Sequence, residues 1–271
     1  MKFQFVLLIL CLSFLISCKS LSSYSDSIQK EKEYDLVEKE IEIGKSVFAK
    51  LVGKYGIVKN KPATEYLNKA GKSLALYCER QDIEYFFAIL NSPQINAYAL
   101  PGGYILISLG TLQSIDNEAQ LLGILAHELG HINKKHVLKN VKIEVTPNFF
   151  EILARFLAGP RNVVTVAMNQ ISNKIEETLF MKGIDSESEY EADLYAINLL
   201  KMWNIEQKSY VSFFEKLTTK DEKTKLTELY KTHPDIRSRI DLLNKNISFD
   251  LPEKKNSTQF KDFKIIVENL K

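Results

Sequence analysis

Within the stretch from Asp116 to Leu138, two histidines and a glutamate stand at a spacing that can do chemistry: His127-Glu128-Leu129-Gly130-His131. On a helix turning about 100° per residue, His131 lies roughly 40° round from His127 and Glu128 roughly 100° round, so all three project within one sector. Two imidazoles one turn apart can bind one zinc ion, and the glutamate beside them reaches a water held there without being a ligand itself. Bulk water is too weak an acid to attack an amide at neutral pH, but zinc lowers its pKa to about 7 and leaves Glu128 to take the proton. The pattern therefore predicts a hydrolase with one zinc ion per chain. The same residues could fall by accident on a buried helix. Two neutral imidazoles and a carboxylate set among Leu121, Leu122, Ile124, Leu125, Ala126, Leu129 and Ile132 would then each need a buried partner, whereas one metal serves all three.

That apolar pattern belongs on a helix buried over most of its circumference, and other elements must bring the remaining groups to it. Ile184 to Trp203 reads as a second helix, with Glu189 and Asp193 sharing a face and Glu191 roughly 160° to 200° away from both. A zinc site with two histidines needs a third ligand, and Glu189 is the leading candidate. Asp193, one turn on, is placed to orient a ligand imidazole from behind. Taken alone this helix would read as a solvated acidic face. His136 would lie about 180° round a continuous helix from His127, which makes it a hydrogen-bonding or surface histidine. His233 sits in a loop, because the residue before Pro234 is pushed out of the helical region. It is either a surface residue or one that reaches the metal or stabilises an oxyanion. Arg239 follows on a helix opened by Pro234.

Ahead of the metal helix, Ile83–Leu90, Gln94–Ala99 and Tyr104–Leu109 are β-rich runs parted by Asn91-Ser92-Pro93 and Pro101-Gly102-Gly103. They predict a small antiparallel sheet. Pro101-Gly102-Gly103 reads first as a hairpin connection; a functional alternative is that an edge of the sheet takes an extended peptide by strand addition. Two helices precede the sheet. One is capped at Asp26 or Ser27, runs to about Val52, and turns Val37, Ile41, Ile43, Val47, Phe48 and Leu51 inward. The other runs from Lys61-Pro62 to about Arg80. Residues 146–183 give two helical patterns around Gly159-Pro160, and the tail from Pro252 closes with the amphipathic FKDFKIIVENL.

A chain of 271 residues, 45% apolar and 26% charged, is long enough for one substantial core and is not disordered. Its formal charge of +2, with lysines spread among glutamates, excludes nucleic acid as the expected partner. Lys2 followed by the apolar run Phe3–Ser17 is too short for a membrane span and reads as a signal peptide over residues 1–17. Leu15-Ile16-Ser17-Cys18 resembles a bacterial lipobox, so Cys18 is the expected lipidation site, with a plain signal peptide or short anchor as the alternative. Residues 18–33 would then be lipidated cysteine and serine-rich tether. Of three cysteines, Cys11 leaves with the signal and Cys18 is acylated. Cys78 is left as a small buried hydrophobe with no disulfide partner.

Several ordered pieces resemble the zinc peptidases that include the CAAX prenyl endopeptidases, the mitochondrial overlapping-activity protease and the periplasmic β-barrel assembly-enhancing proteases. They are Asn96-Ala97-Tyr98-Ala99-Leu100-Pro101-Gly102-Gly103, Glu118-Ala119-Gln120-Leu121 leading into His127–His131, Glu189-Tyr190-Glu191-Ala192-Asp193, and His233-Pro234 with Arg239. The resemblance implies a mostly α, zincin-like domain of the gluzincin type with a small antiparallel sheet, over residues 34–250, with a tail at 251–271. It implies zinc on His127, His131 and Glu189, Glu128 as general base, and Asp193 behind the ligands. His233 and Arg239 count with Glu128 among the expected catalytic residues, His233 as a fourth metal ligand that can hold the enzyme off. Asn96, Ala97, Tyr98, Ala99, Gly102 and Gly103 are expected to border the substrate cleft.

The chain departs from the family in two ways. With no multi-span membrane domain, prenylated substrates are not expected; with no C-terminal helical repeat domain, a stable partnership with outer-membrane assembly machinery is not expected either. The function these readings support is a lipid-anchored endopeptidase cleaving unfolded or extended envelope proteins, with the membrane met through the lipid. Lys19, where an inner-membrane retention aspartate could stand, favours the outer membrane. The rivals are a chaperone-like binding lipoprotein whose zinc site is structural or self-inhibited, and a zinc-free scaffold.

Overall fold

The computed structural model describes residues 34, 36–141, 161–219, 229, 232, 233, 235–247 and 255–270. The expected signal segment, the expected lipidation site Cys18 and tether, the expected cap at Asp26 or Ser27, the pattern 149–158 and Pro234 lie outside the described residues.

Helix α1, residues 36–55, buries Ile43, Val47 and Leu51 at four-residue spacing, each such side chain contributing roughly 1.5–3 kcal/mol. Helix α2, Lys61–Ala75, starts on Asn60, whose side chain accepts from the Ala63 backbone N–H at 3.0 Å, with Pro62 in the first turn. It stops short of the expected Arg80. The chain turns over residues 76–78 and carries the buried, free Cys78 inward.

Three strands follow: β1 Phe86–Leu90, β2 Ala97–Leu100 and β3 Tyr104–Ser108. The β2–β3 pair is the expected antiparallel hairpin, with Ala97 opposite Ile107 and Leu100 opposite Tyr104 across Pro101-Gly102-Gly103. The sheet as a whole is mixed, which corrects the antiparallel expectation: its order is β1-β3-β2, and β1 runs parallel to β3. Strand directions do alternate along the chain. The hairpin, however, slots β3 between its two predecessors, an ordering that side-chain periodicity does not carry. Alternation sorts the two faces: Ile105 and Ile107 pack with α2 residues, Tyr104 and Leu106 with Ile43, Val47 and Leu51 of α1.

The turn is pinned where it stands. Gly103 has φ 95°, and a Cβ there would meet the Glu84 carbonyl at 2.2 Å. Next to it, the Gly102 N–H donates to Glu40 Oε1 of α1 at 3.1 Å, an oxygen that also accepts from Arg80 Nη1 at 2.5 Å.

Beyond α3, Leu109–Ser114, the central helix α4 spans Glu118–Asn133, capped by Asn117 on the Gln120 N–H, with every residue from Ala119 to Ile132 buried. It ends where Lys134 and Lys135 turn, Lys135 at φ 55°, and α5, His136–Asn140, sets off afresh. His136 is therefore not on a continuation of the metal helix. Helix α6, Arg161–Glu177, covers part of the second of the two expected patterns. Helix α7, Ser186–Met202, is capped by Asp185 and packs most extensively on α4. Gly130 permits the crossing: a Cβ there would lie 3.1 Å from Tyr195 Cβ and 3.2 Å from Ala192 Cα, so the two backbones approach as closely as the small residue allows.

Helices α8, Lys208–Thr219, and α9, Ile236–Asn246, close over α7 and α4. The amphipathic tail forms α10, Thr258–Glu268, burying Phe260, Phe263 and Val267 against Tyr66 and α3. Glu118 at the head of α4 ties it down, accepting from the Ser257 N–H at 3.0 Å and the Tyr66 hydroxyl at 2.7 Å. Mostly helical with one small sheet, the fold sets α4 in its middle. Among the described residues no helix is long and apolar enough to cross a membrane.

Candidate metal centre

Burial makes the chemistry of α4 unavoidable. His127, Glu128 and His131 are at most 4% exposed, and helix propensity offers no reason to place them there; only partners can. The close crossing at Gly130 supplies them from α7. Glu189 Oε1 lies 3.3 Å from His131 Nε2 and Glu189 Oε2 lies 3.6 Å from His127 Nε2, while the two Nε2 atoms face each other at 2.9 Å. His233 comes in from the other side, its Nδ1 3.0 Å from both Glu189 oxygens. One ligand atom from each of His127, His131, Glu189 and His233 falls within 4.8 Å of the others.

Behind these groups stands a layer that aims them. His127 Nδ1 is 2.9 Å from Asp193 Oδ1, and Asp193 also accepts from Arg239 Nε at 2.7 Å, Arg239 Nη2 at 2.8 Å and the Tyr210 hydroxyl at 2.8 Å. The third arm of Arg239, Nη1, reaches Glu189 Oε2 at 2.7 Å. Arg239 thus grips two of the carboxylates of α7, Glu189 and Asp193, and its guanidinium lies over the Phe214 ring at 4.9 Å. Tyr210 was invisible as a site residue, since in the apolar run Tyr210-Val211-Ser212-Phe213-Phe214 it reads as core. His131 Nδ1 meets His136 Nδ1 at 2.9 Å, because the turn at Lys135 folds α5 back beneath α4.

These contacts set the protonation states. Burial would drive the His127 imidazole down, but hydrogen bonds to Asp193 and Glu189 outweigh it and raise the pKa to about 9. For His131 burial prevails over the pull of Glu189, and the pKa falls to about 3. Burial alone would raise Glu189 and Asp193. The neighbouring His233 and Arg239 hold Glu189, and Arg239 holds Asp193, below the usual carboxylate range. Glu128 goes the other way, pushed up by burial, a shift that would suit a group taking up a proton near neutral pH.

The residues fit a zinc ion. Two imidazole Nε2 atoms and a carboxylate converge from two helices, His127 Nδ1 lies against Asp193 and His131 Nδ1 against His136, and among the described residues Glu128 Oε2 is buried with no hydrogen-bond partner.

Beside the cluster, Asn96, Ala97, Glu128, His233, Phe213 and Phe214 line one cavity. Among the described residues strand β2 is a sheet edge, and its Ala97 carbonyl is 3.4 Å from His233 Nε2. Asn96 holds the edge in place: its Oδ1 accepts from the Ala97 N–H at 2.9 Å and from Thr232 Oγ1 at 3.1 Å. Ala99 borders a smaller pocket with His131 and Glu40. Tyr98, Gly102 and Gly103 do not line the cavity at Glu128. Tyr98 packs on the α1 face of the sheet, and the two glycines brace β2 against α1 and Glu84.

A family model for peptidase family M48 matches residues 62–247. The chain belongs to that family. M48 peptidases use zinc, and the cluster of His127, His131, Glu189 and His233 is where this member can hold it. Among named relatives, the chain is 23% identical over 211 residues to the beta-barrel assembly-enhancing protease of Escherichia coli K12, an alignment covering 75% of this chain and 43% of that protein. It is 26% identical over 165 residues to the metalloprotease LoiP of the same strain, covering 60% and 63%. With the mitochondrial metalloendopeptidase OMA1 of Bos taurus it shares 25% over 174 residues, covering 61% and 33%. The chain thus spans less than half the length of the assembly-enhancing protease it matches.

Proposed function

We propose that this M48 member is a zinc-dependent endopeptidase, held at the bacterial cell envelope by lipid on Cys18, that cleaves misfolded or stalled envelope proteins. One observation carries the reading: His127, His131 and Glu189 converge from two helices with Glu128 Oε2, buried and without a hydrogen-bond partner among the described residues, beside them. Zinc, when bound, supplies Lewis acidity that polarises a carbonyl and makes water a competent nucleophile at neutral pH. The chain supplies the rest. Asp193 and Arg239 hold His127 and Glu189 in register. An extended substrate lies along the β2 edge at Ala97 and Ala99, so that backbone pairing provides affinity without demanding a sequence. Glu128 takes a proton from the attacking water and returns it to the leaving amine. The names of the relatives, an assembly-enhancing protease and a metalloprotease, support the substrate class, and the lipobox-like Leu15–Cys18 supports the anchor. Lys19 after the cysteine favours the outer membrane.

The position of His233 favours a second, compatible reading in which the site is self-inhibited. With its imidazole among the other three ligands, the centre has the fourfold protein donor set of a closed zinc site rather than the open position of a working one. In this reading His233 must leave before a substrate carbonyl can enter.

Two variants test the proposal on unfolded envelope proteins, with products mapped by mass. Glu128→Gln is expected to keep its zinc and lose at least about 100-fold in cleavage rate; full activity with zinc bound would refute the role. His233→Ala is expected to cleave faster, whereas a structural site would lose metal or stability instead.

A further inference from the structure

His136 and Glu191 form a motif that neither the peptidase chemistry nor the ligand set uses. His136 is 1% exposed, yet its ring touches polar groups at both nitrogens: Nδ1 lies 2.9 Å from His131 Nδ1, and Nε2 lies 3.0 Å from Glu191 Oε2. Glu191, on α7, has its side chain 47% exposed. A line of hydrogen bonds thus runs from solvent, through a buried imidazole, to the back of a residue assigned to the metal.

With His136 neutral, the donors and acceptors along this line have one consistent arrangement. Glu191 as a carboxylate only accepts, so His136 Nε2 carries the proton. A neutral His136 then has its lone pair on Nδ1, which can only accept from His131 Nδ1–H. That leaves the His131 lone pair on Nε2, the atom that faces His127 Nε2 and Glu189. We infer that His136 and Glu191 are positioning residues for the metal centre, selecting the His131 tautomer that presents Nε2 and holding its ring in place. His127 has a direct carboxylate behind it in Asp193; for His131 the same support arrives through one intervening imidazole. The turn at Lys135, φ 55°, exists on this view to bring His136 back under α4. A purely packing role for His136 would need neither the second nitrogen contact nor an acidic partner one residue beyond Tyr190 on the helix that supplies Glu189.

The inference rests on the zinc-site reading above, and the test separates the two. Zinc affinity is measured by competition against a chromophoric chelator for the full chain, for His136→Phe, which fills the space without an acceptor, and for His136→Gln, whose amide oxygen can accept from His131. Unfolding midpoints of the zinc-free forms are recorded alongside, with the visible spectrum of each cobalt-loaded form. His136→Phe is expected to bind zinc about 10- to 100-fold more weakly and to shift the cobalt bands, and His136→Gln to recover most of both. Wild-type affinity in a folded His136→Phe overturns the inference, as does an equal loss in His136→Gln, since packing alone would then account for the effect. Should His136→Phe not fold, Glu191→Ala decides from the surface: a several-fold weaker zinc affinity supports the line of hydrogen bonds, and an unchanged one overturns it. Absence of zinc binding by the unaltered chain would instead sink the peptidase reading, and this one with it.

Discussion

Replacing Arg239 with Met asks the most of the structure. The guanidinium is 1% exposed and makes three contacts of 2.7, 2.7 and 2.8 Å to two carboxylates, Glu189 and Asp193, which are themselves 0% exposed. Methionine keeps much of the length and the contact with Phe214 while removing the charge and every donor. Breaking a buried ion pair by deleting one partner costs about 3–5 kcal/mol, because the remaining charge is left uncompensated. Against a typical total of about 5–15 kcal/mol, that is a large share of the fold. Urea titration of the zinc-free Arg239→Met protein should therefore show unfolding free energy lower by about 3–5 kcal/mol. With zinc bound the deficit should shrink, since the ion compensates Glu189, one of the two carboxylates. Adding Asp193→Asn should cost less than the sum of the two single changes, with a coupling of about 0.5–3 kcal/mol. A loss under about 1 kcal/mol in the zinc-free protein, or strict additivity, would refute the claim that Arg239 holds α7 in register through both carboxylates.

Three further outcomes follow from the same geometry. Because the His127 pKa is raised to about 9, zinc must displace a proton from the chelator-stripped protein below that pH. Apparent zinc affinity should climb about tenfold per pH unit from 7 toward 9 and then level, with about one proton released in calorimetry across buffers; a flat profile over that range would show that His127 is already neutral. Gly103→Ala puts a Cβ against the Glu84 carbonyl at a φ of 95°, so a loss of about 2 kcal/mol or more in thermal or urea unfolding is expected. Tyr210→Phe removes one of several donors to Asp193 and should cost only about 1–2 kcal/mol of stability. A collapse as large as that of Arg239→Met would mean that the hydroxyl, not the guanidinium, anchors Asp193.

The metal helix was legible in the sequence because two kinds of information coincide in one short stretch. Its apolar residues mark a buried helix, and His127, Glu128 and His131 have no reason to sit there unless something binds them. Glu189 and Asp193 were legible for a related reason: a four-residue spacing places them on one face, away from Glu191. Helical geometry is local, and local geometry can be counted along a chain. The β-rich runs and the Pro101-Gly102-Gly103 hairpin belong to the same class of signal.

What tertiary structure decided was everything that depends on which element meets which. Sheet order was one such choice, since inserting β3 between β1 and β2 leaves every local pattern unchanged while making one pair parallel. The position of His136 was another: extrapolating α4 put it on the far side, whereas a left-handed residue at Lys135 returns it to the back of His131. So was the partner choice of Arg239, which depends on α9 crossing α7 at the level of both carboxylates. Spacing within a helix follows from bond geometry that every helix shares, so residue types and intervals carry it alone. Convergence between helices follows from packing, where a bare Gly130 and a handful of buried ion pairs select one crossing among many, and no interval along the chain records that selection.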